Sequence, residues 1–328
     1  MANYNSNFRA PDVAIIAPIF NAADEVLLFL DQLEDCLKEL PASFTVLVID
    51  DASVDATFSH LKNFQFTASN VHLHAVHMPF HCGMHEAIAR GLTVARQLKC
   101  QRYIIMKANG DDDPQAIPEL IRIKDKDAVI VDRGPRTENL LFWLAYRMYQ
   151  FLFRLFTSRE LISGVYSMIS RRTLVQLTQS SFIHYTARLY KLKLRGGKIH
   201  FERKGQKTSF QREWKQLFRD SIGSYMEFGE EMLSIFLKLS LTFGFLLFAG
   251  ALVSVYIHFF TPQSIPVWSM ITMVGFLSAL ILSIGVFGVG VSLLHKVRSR
   301  TGFTVSIKKE SSEAQSDVLP TPRRAPIR

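Results

Sequence analysis

Three consecutive carboxylates, Asp111, Asp112 and Asp113, follow a short apolar run of the sequence that ends at Met106. A run of this length that is bounded by turn residues predicts a buried strand. Open α/β sheets bind their ligands at the carboxyl ends of parallel strands, so these acids are expected where a site would lie. Adjacent carboxylates repel one another and need a cation, hydrogen-bond donors or water. The plainer alternative is a solvated loop in which Asp113 caps a helix that begins at Pro114.

A second pair of acids, Asp50 and Asp51, ends another apolar run, Phe44 to Ile49. Carboxylates at strand ends accept hydrogen bonds from the N–H and O–H groups of a nucleoside, or hold a divalent cation on its diphosphate. The sequence contains no GxxxxGK[ST] loop, and no GxGxxG follows the first apolar run. The sequence therefore lacks the main motif that would indicate a P-loop kinase or a Rossmann dehydrogenase.

Apolar runs and amphipathic segments alternate along the first 131 residues. The alternation predicts βαβ units, a mainly parallel sheet and helices on both of its faces. The predicted strands are Val13–Ala17, Phe44–Ile49, Val71–Val76, Arg102–Met106 and Ala128–Val131, and the predicted helical segments are Glu25–Leu40, His81–Gln97 (turn and helix) and Pro114–Arg122.

Two later segments, Leu239–Phe260 and Val267–Leu294, contain no Asp, Glu, Lys or Arg. Each reaches the roughly 20 residues that a membrane-spanning helix requires. They predict two transmembrane helices, and a buried helical hairpin is the alternative. Basic residues flank the pair on both sides, whereas the short connection is uncharged, so the positive-inside rule assigns both flanks to the cytosol. No signal peptide precedes the first apolar run, and the sequence predicts an integral membrane protein that is mostly cytosolic.

The net charge of +9 and the pI near 9.5 are typical of nucleic-acid-binding proteins as well as of membrane-associated ones. Much of the basic surplus flanks the apolar segments, where attraction to anionic lipids is worth about 1 kcal/mol per Lys or Arg. Membrane lipids are therefore the expected partner, and nucleic acid is not. The three cysteines are too few and too scattered for a disulfide framework or a cysteine zinc site.

Four blocks of the sequence resemble the inverting family 2 glycosyltransferases. They are Pro18 to Asn21 (PIFN), Asp50 to Thr57 (DDASVDAT), the glycines and alanine of FHCGMHEAIARG, and the fourth apolar run leading into DDDPQAIPELI. The two apolar C-terminal segments narrow the resemblance to polyprenyl-phosphate glycosyltransferases, which include dolichol-phosphate mannose synthases and bacterial undecaprenyl-phosphate glucosyltransferases. The resemblance covers roughly Val13 to Leu294.

This resemblance implies a GT-A fold with a nucleotide-sugar site at the strand ends, and Mg²⁺ or Mn²⁺ as the cofactor. The nucleotide-binding residues that it implies are Pro18, Asn21, Asp50, Asp51 and Ser53. Turn or cap formation is the alternative role of these residues, and also of Asp55 and Thr57, which would cap the next helix.

The acidic block departs from the family pattern D-x-D-x-Q-[DH]-P-P. Aligning the prolines puts Lys107 and Asn109 where the resemblance implies two metal-binding aspartates, and Asp111 where it implies glutamine. A protonated lysine has no lone pair for a metal, although its ammonium would neutralise a diphosphate directly. The candidate catalytic residues are Lys107, Asp111 and Asp112. The candidate metal ligands of a shifted site are Asn109, Asp111 and Asp112, and the sequence leaves open whether a metal binds.

Further departures affect the resemblance elsewhere. Val165 occupies the acid position of the family block G-D-F-x-L-[LM]-D-R, and an isopropyl group is neither a base nor a hydrogen-bond acceptor. Ala22 replaces an early glutamate, and His81 replaces an asparagine. Either the donor and mechanism differ from the family norm, or transfer activity has been lost.

The acceptor side is partly recognisable in Phe201 to Phe210, which resembles the family loop R-x-x-G-x-S-[KR]-[YW]. Arg203 and Lys207 are its candidate lipid-phosphate ligands, with general attraction to headgroups as the alternative. Two amphipathic segments, Asn139–Phe156 and Gln211–Phe228, predict interfacial helices. Packing against the sheet domain is their alternative.

The predicted organisation is a cytosolic GT-A domain (1–230) with interfacial helices, a transmembrane hairpin (231–300) and a disordered cytosolic tail (301–328). The predicted function is sugar transfer from a nucleotide-sugar to a polyprenyl phosphate, dolichyl or undecaprenyl, at the cytosolic membrane face. The alternative is a non-catalytic relative that acts as a membrane binding or assembly subunit. A homo-oligomer agrees with the sequence, which does not determine the oligomeric state.

Overall fold

A computed structural model describes most of the predicted sheet domain and both long C-terminal helices. The described residues are 12–132, 144, 147, 148, 150, 151, 153, 154, 164–192, 194–201, 219, 222–260 and 267–300. They fall into two compact units, one that ends at Met232 and one that begins at Leu233.

The first unit is built on a seven-stranded sheet with the order β3-β2-β1-β4-β6-β5-β7. The central strands β1 and β2 are buried along their whole length, as expected for parallel strands that are covered on both faces. The strands are β1 (Val13–Ile19), β2 (Phe44–Asp50), β3 (Val71–His77), β4 (Arg102–Ile105), β5 (Ala128–Asp132), β6 (Ser167–Ser170) and β7 (Gly196–His200).

The mainly parallel sheet is confirmed, and all five predicted strands form. Strands β1 to β4 pair in parallel, as do β5 and β7. Two strands were not predicted. Strand β6 is antiparallel to both β4 and β5, and β7 extends the edge beyond β5. Both are short and contain serines, glycines or charges, so neither shows the apolar run of the other strands.

The sheet separates the core into two apolar layers, and helices cover each of them. Alternate residues of β1 serve the two layers: Ile15 packs on the side of α1, and Ile16 packs on the side of α3. The helices of this unit are α1 (Ala23–Leu37), α2 (Thr57–Asn63), α3 (Met84–Leu98), α4 (Ile117–Arg122), α5 (Arg171–Thr178) and α6 (Tyr185–Lys191), and a 3₁₀ turn (Pro114–Ala116) precedes α4.

Gly91 lets α3 lie close to the sheet. A Cβ atom at this position would lie 2.4 Å from Ile16 Cγ2 and 3.1 Å from Ile49 Cγ1, closer than carbon atoms pack. The glycine therefore sets the spacing of α3 from β1 and β2. This spacing also fixes the start of α3 beside the carboxyl ends of those strands.

The second unit contains most of α7 (Gly229–Phe260) and all of α8 (Val267–Arg300). A Cβ atom on Gly290 would lie 2.7 Å from Leu233 Cδ2, and one on Gly244 would lie 3.2 Å from Leu280 Cδ2. The hydroxyls of Ser240 and Ser283 hydrogen-bond between these two contacts. The paired positions run in opposite directions, so α7 and α8 form an antiparallel hairpin with small residues at the contact.

Within the described residues, one stretch is long and apolar enough to cross a membrane, Leu233–Gly250 in α7. The apolar stretch of α8, Met273–Gly288, is shorter. Large apolar side chains such as Phe245, Phe248 and Leu282 are exposed on this hairpin. A helix that is apolar all round is typical of a membrane span or the core of a large protein.

Candidate functional site

The loops that follow β1 and β2 are joined by hydrogen bonds. The Asn21 amide donates to Ser53 Oγ at 2.9 Å, and the Val54 amide donates to Asn21 Oδ1 at 3.0 Å. Asn21 has a φ of +45°, a left-handed conformation that asparagine tolerates better than most residues. The carbonyl of Pro18 accepts the Ala108 amide at 3.4 Å, which ties the loop after β4 to the same place. Three strand ends are thus brought together.

Asp55 and Thr57 stabilise this junction by accepting hydrogen bonds from the backbone at the start of α1. The Ala22 amide donates to Thr57 Oγ1 at 2.9 Å, and the Ala23 amide donates to Asp55 Oδ2 at 3.2 Å. Burial acts to raise the pKa of the Asp55 carboxyl, but hydrogen bonds from Thr57 and Ala23 outweigh it and leave the pKa below its usual value. These contacts give both residues a positioning role at the start of α1 and α2.

Asp50 is fully buried at the end of β2, and the chain itself occupies both of its carboxylate oxygens. Oδ1 accepts from the Ser53 amide at 3.3 Å and from the Ser53 hydroxyl. Oδ2 lies 2.6 Å from Nδ1 of His77, which is the partner of Asp50 in the parallel register of β2 and β3. The role predicted for Asp50 in nucleoside binding stays a prediction, and the observed contacts fix Ser53 and His77.

Asp51 is organised in the same way one residue later. Its carboxylate accepts the Cys82 amide at 2.8 Å and the Gly83 amide at 2.7 Å, and it lies 2.9 Å from His81 Nδ1. Gly83, with a φ of +96°, precedes the first turn of α3. Asp51 therefore holds the loop that leads into α3, and its predicted contact with a nucleoside also stays a prediction.

His77 and His81 are the half-exposed members of these two buried Asp–His pairs, with side chains 41% and 48% accessible. The His81 ring stacks on Phe20, with ring centroids 4.1 Å apart. Phe80 and Val54, in the loops beside them, are also exposed. The sequence indicated His81 only as a replacement for asparagine, and it did not indicate His77. The register that sets His77 opposite Asp50 is the signal that would have identified it.

Lys107 and the three acids after it form a loop that folds back on the end of β4. Lys107 Nζ lies 3.3 Å from Asp111 Oδ2, and the Lys107 amide donates to Asp112 Oδ2 at 2.8 Å. The Asp111 amide donates to Asn109 Oδ1 at 3.3 Å. Gly110, with a φ of +77°, allows the chain to reverse between these residues. The candidate catalytic residues are thus brought together by local contacts.

Asp113 has the capping role that the plainer reading of the acidic cluster predicted. Its Oδ1 accepts the Gln115 amide at 3.0 Å at the start of the 3₁₀ turn, with Pro114 in the first position. Its carbonyl accepts the hydroxyl of Tyr166 at 2.9 Å, which links the loop to β6. The cap is confirmed for Asp113 alone, because Asp111 and Asp112 contact Lys107 instead.

Two buried histidines pack next to this site, and neither was predicted as a functional residue. The rings of His85 and His184 are 4.1 Å apart; His85 Nδ1 accepts the Tyr185 amide and His184 Nδ1 accepts the Ala187 amide. Burial, helped by the charges of His184 and Lys107, lowers the pKa of His85 to about 3. Burial lowers the pKa of His184 to about 4. Both rings are therefore neutral near pH 7.

The chain is similar to two undecaprenyl-phosphate 4-deoxy-4-formamido-L-arabinose transferases. The protein from Pseudomonas fluorescens is 28% identical over 131 residues, which cover 39% of this chain and 37% of that protein. The protein from Photorhabdus laumondii is 25% identical over 130 residues, or 39% of each chain. The crystal structure of mannosyl-3-phosphoglycerate synthase from Rubrobacter xylanophilus aligns with a TM-score of 0.50 and 18% identity, covering 68% of this chain and 74% of that one. No protein-family model matches the chain.

Over 39% of its length, the chain is similar to these two polyprenyl-phosphate sugar transferases. The resemblance inferred from its motifs is confirmed, and the structural alignment supports the GT-A fold. The similar region spans less than two fifths of the length of either curated relative.

The residues of this chain do not fit a divalent cation at the position that the resemblance implies. Within the described part of the chain, no group of three or more His, Cys, Asp or Glu side chains is arranged to hold a metal. Asp112 accepts a backbone amide, and Asp111 lies against the Lys107 ammonium, which repels a second cation. Asn109 contacts the Asp111 amide. These three candidate ligands are close neighbours, but their observed partners are the chain's own donors.

Val165 belongs to the apolar core of the first unit and is almost fully buried. Its carbonyl accepts the Ser167 hydroxyl at 2.9 Å, and Ser167 Oγ in turn hydrogen-bonds to the Tyr185 hydroxyl. Burial raises the pKa of Tyr185 above its usual range. The position that the resemblance assigns to an acid is thus apolar, and its carbonyl accepts a neutral hydroxyl.

The predicted acceptor residues Arg203 and Lys207 lie outside the described residues, as does most of the loop around them. Most of the two predicted interfacial segments lies outside as well. Of the first, Phe153 is buried against Phe228, whereas Leu144, Met148 and Phe151 are exposed. The predicted tail after Arg300 is also outside the described residues.

Proposed function

We propose that this protein transfers a sugar from a nucleotide-sugar donor to a polyprenyl phosphate, such as undecaprenyl or dolichyl phosphate, at the cytosolic face of a membrane. One observation carries the proposal: the loops after β1, β2 and β4 meet at one edge of a GT-A sheet, where ligands of open α/β sheets bind. The similarity to two undecaprenyl-phosphate sugar transferases supports the lipid acceptor.

On the donor side, we assign the nucleoside to the strand-end loops that contain Pro18, Asn21 and Ser53. Asp50 and Asp51 act there mainly through the groups that they hold, because their own oxygens already accept hydrogen bonds from the chain. Positioned donors and acceptors that need no rearrangement lose little entropy when a ligand binds. The exposed ring of Phe20 offers an apolar face at the same edge.

On the acceptor side, we assign the lipid phosphate to Arg203 and Lys207 and the membrane anchor to α7 and α8. An Arg fork and a Lys point charge are the usual partners of a phosphate. The apolar side chains exposed on the α7–α8 hairpin support burial in lipid, because in water they would form a large exposed apolar patch. Anchoring in this way would hold the chain at the membrane that carries the lipid phosphate.

The chemistry needs one displacement at the anomeric carbon. An oxygen of the lipid phosphate forms the new bond to this carbon, while the bond to the nucleoside diphosphate breaks and the diphosphate leaves with the electron pair. The attacking phosphate is already anionic near neutral pH, so it needs no general base. An apolar Val165 at the family's acid position is compatible with this reaction. Charge that develops on the leaving diphosphate still has to be stabilised.

The test is a transfer assay with the full chain in detergent. Radiolabelled UDP- and GDP-sugars are offered with undecaprenyl phosphate or dolichyl phosphate, and lipid-linked sugar is counted after extraction. We expect transfer with at least one donor, and a loss of 10-fold or more in R203A and K207A. The control is K124A, which removes an exposed basic side chain from the sheet domain. Equal activity in all three variants would contradict the assignment of the acceptor loop.

A second candidate is a non-catalytic binding or assembly subunit, and the departures at Lys107, Asn109 and Val165 favour it. These positions lack the acids that the resemblance implies for metal binding and base chemistry. A protein of this kind would bind nucleoside diphosphates but would transfer no sugar to either lipid phosphate. That result in the same assay would select this second function.

A further inference from the structure

We propose that the ammonium of Lys107 replaces the divalent cation at the leaving diphosphate, so that this protein binds nucleoside diphosphates without a metal. The proposal rests on the proposed function, because it assigns the diphosphate to the loop after β4. It follows from the disagreement between the family pattern and the residues present. A cation is built into the chain at the position where the resemblance implies the first metal ligand.

The backbone of Lys107 is held firmly at the end of β4. Its amide donates to the buried Asp112 carboxylate at 2.8 Å, and the next amide, of Ala108, donates to the Pro18 carbonyl. Met106, before it, is fully buried and donates to the carbonyl of Ile16. Successive residues are therefore anchored to β1 and to the acidic loop. The side chain starts from a fixed point, as preorganised charge stabilisation requires.

The side chain of Lys107 is nearly buried, and a small part of it is accessible to solvent. Lys107 and Asp111 have side chains 11% and 12% accessible, and their charged atoms lie 3.3 Å apart. An ammonium has three donors, and this contact uses one of them. The positive charge of Lys107 also acts on His85 at the start of α3, where it adds to the effect of burial in lowering the pKa of the His85 imidazole. A cation in this setting is less screened by water than one on the open surface.

The acidic loop has the composition needed to hold a lysine rather than a metal. Asp111 faces the ammonium, Asp112 faces the Lys107 amide, and Asp113 caps the following 3₁₀ turn. Each carboxylate thus has a specific donor within the loop. A divalent ion bound between Asp111 and a diphosphate would lie next to the ammonium, and the two cations would repel each other.

The test is isothermal titration calorimetry of the full chain in detergent with UDP, GDP, CDP and ADP, in EDTA and in Mn²⁺. We expect at least one nucleotide to bind with the same Kd, within about twofold, in both buffers. K107A should weaken this binding 10-fold or more, and Mn²⁺ should not restore it. K124A, which removes an exposed lysine, should bind like the wild type in both buffers.

Two further variants keep the test informative if K107A folds poorly. K107D restores the family's acid, and we expect its nucleotide binding to be lost in EDTA and recovered in Mn²⁺. K107R keeps a positive charge at this position, and we expect it to recover part of the binding in EDTA that K107A loses, whereas equal binding by K107R and K107A would contradict a role for the charge. Unfolding midpoints of the variants confirm that each one is folded.

The outcomes separate this inference from the proposed function. Binding that requires Mn²⁺ in the wild type and is unchanged in K107A would overturn the role of Lys107, while a nucleotide-dependent transferase would stand. No binding of any of the four nucleotides in either buffer would overturn the proposed function and this inference together. Binding in EDTA that depends on Lys107 would support this inference, and sugar transfer in the assay above would then distinguish the proposed function from the non-catalytic subunit.

Discussion

His77 Nδ1 lies 2.6 Å from Asp50 Oδ2, so that a fully buried carboxylate at the end of β2 is closed by a half-exposed ring at the end of β3. The parallel register of the two strands sets these residues side by side. The other oxygen of Asp50 accepts from Ser53. The first acid of the DDASVDAT block thus joins the loop after β2 to the edge strand of the sheet.

Replacing His77 by alanine should destabilise the protein. The substitution leaves one oxygen of a buried carboxylate without this donor, which typically costs about 1–3 kcal/mol. The measurement is the unfolding midpoint of the full chain in detergent. H74A is the matched control, because His74 is an exposed histidine on the same strand. Equal midpoints for the two variants would show that the Asp50–His77 contact does not stabilise the fold.

Acidification should destabilise the protein through His85 and His184. Burial lowers their pKa values in the folded chain to about 3 and about 4, whereas an unfolded histidine titrates near 6.5. Below about pH 6.5 the unfolded state therefore binds protons that the folded state does not. Their contribution to the free energy of unfolding is fully present above this pH. It falls as the pH decreases toward 4, by up to about 1.4 kcal/mol per pH unit for each histidine.

The contribution of one histidine can be isolated with H85Q, compared with wild type by chemical unfolding between pH 4.5 and 7. The variant should show a shallower pH dependence, because it lacks one of the two buried rings. H74A changes an exposed histidine instead and should keep the wild-type slope. If H85Q and wild type lost stability in parallel, the acid sensitivity would have to come from other groups.

The sequence predicted the architecture well where an element is a continuous apolar run or has apolar residues at helical spacing. Strands β1 and β2 are continuous apolar runs, and α1 buries residues at helical spacing, including Val26, Phe29, Leu30 and Leu33. Strand β6 escaped prediction because its four residues include two serines. Its place between β4 and β5 is set by pairing with both, which no local pattern encodes.

The sequence showed which candidate residues lie at the strand ends, but it did not show their contacts. The acids at the strand ends and the departure at Lys107 were visible in the sequence. The partners of Asp50 and Asp51 were not, because His77 and Ser53 reach the same carboxylate only when β2, β3 and the next loop are assembled. His85 and His184 are 99 positions apart in the chain, and only the packing of α3 against α6 brings their rings together.

Enlarging Gly91 should disturb the layer between α3 and the sheet. In G91A the new methyl would lie 2.4 Å from Ile16 Cγ2, a group on a buried branched side chain that has little room to move. Overpacking of this kind costs about 1–3 kcal/mol, which exceeds the gain of up to about 1 kcal/mol from replacing glycine in a helix.

The unfolding midpoint of G91A is therefore expected to fall. The matched control is Q97A, which places alanine at an exposed position of the same helix. It should leave the midpoint unchanged or raise it slightly. A stabilised G91A would mean that α3 can shift away from the sheet at no cost.

Cys82 offers a chemical probe of the candidate site. It is the exposed cysteine, and its amide donates to Asp51. Burial and the charges of Asp51 and Glu86 raise the pKa of its thiol, so maleimide should react slowly at pH 7 and faster as the pH rises. Burial raises the pKa of Cys36 to about 11 and that of Cys100 to about 12, so these thiols should stay unmodified in the folded protein.

A nucleoside diphosphate bound at this edge of the sheet should protect Cys82 from maleimide. We expect at least a 5-fold slower reaction at a nucleotide concentration about 10 times the Kd, since occupancy is then about nine tenths. C82S removes the exposed thiol and serves as the control for labelling elsewhere. Labelling at an unchanged rate, under conditions where calorimetry shows saturation, would place the nucleotide away from the Asp51–Cys82 loop.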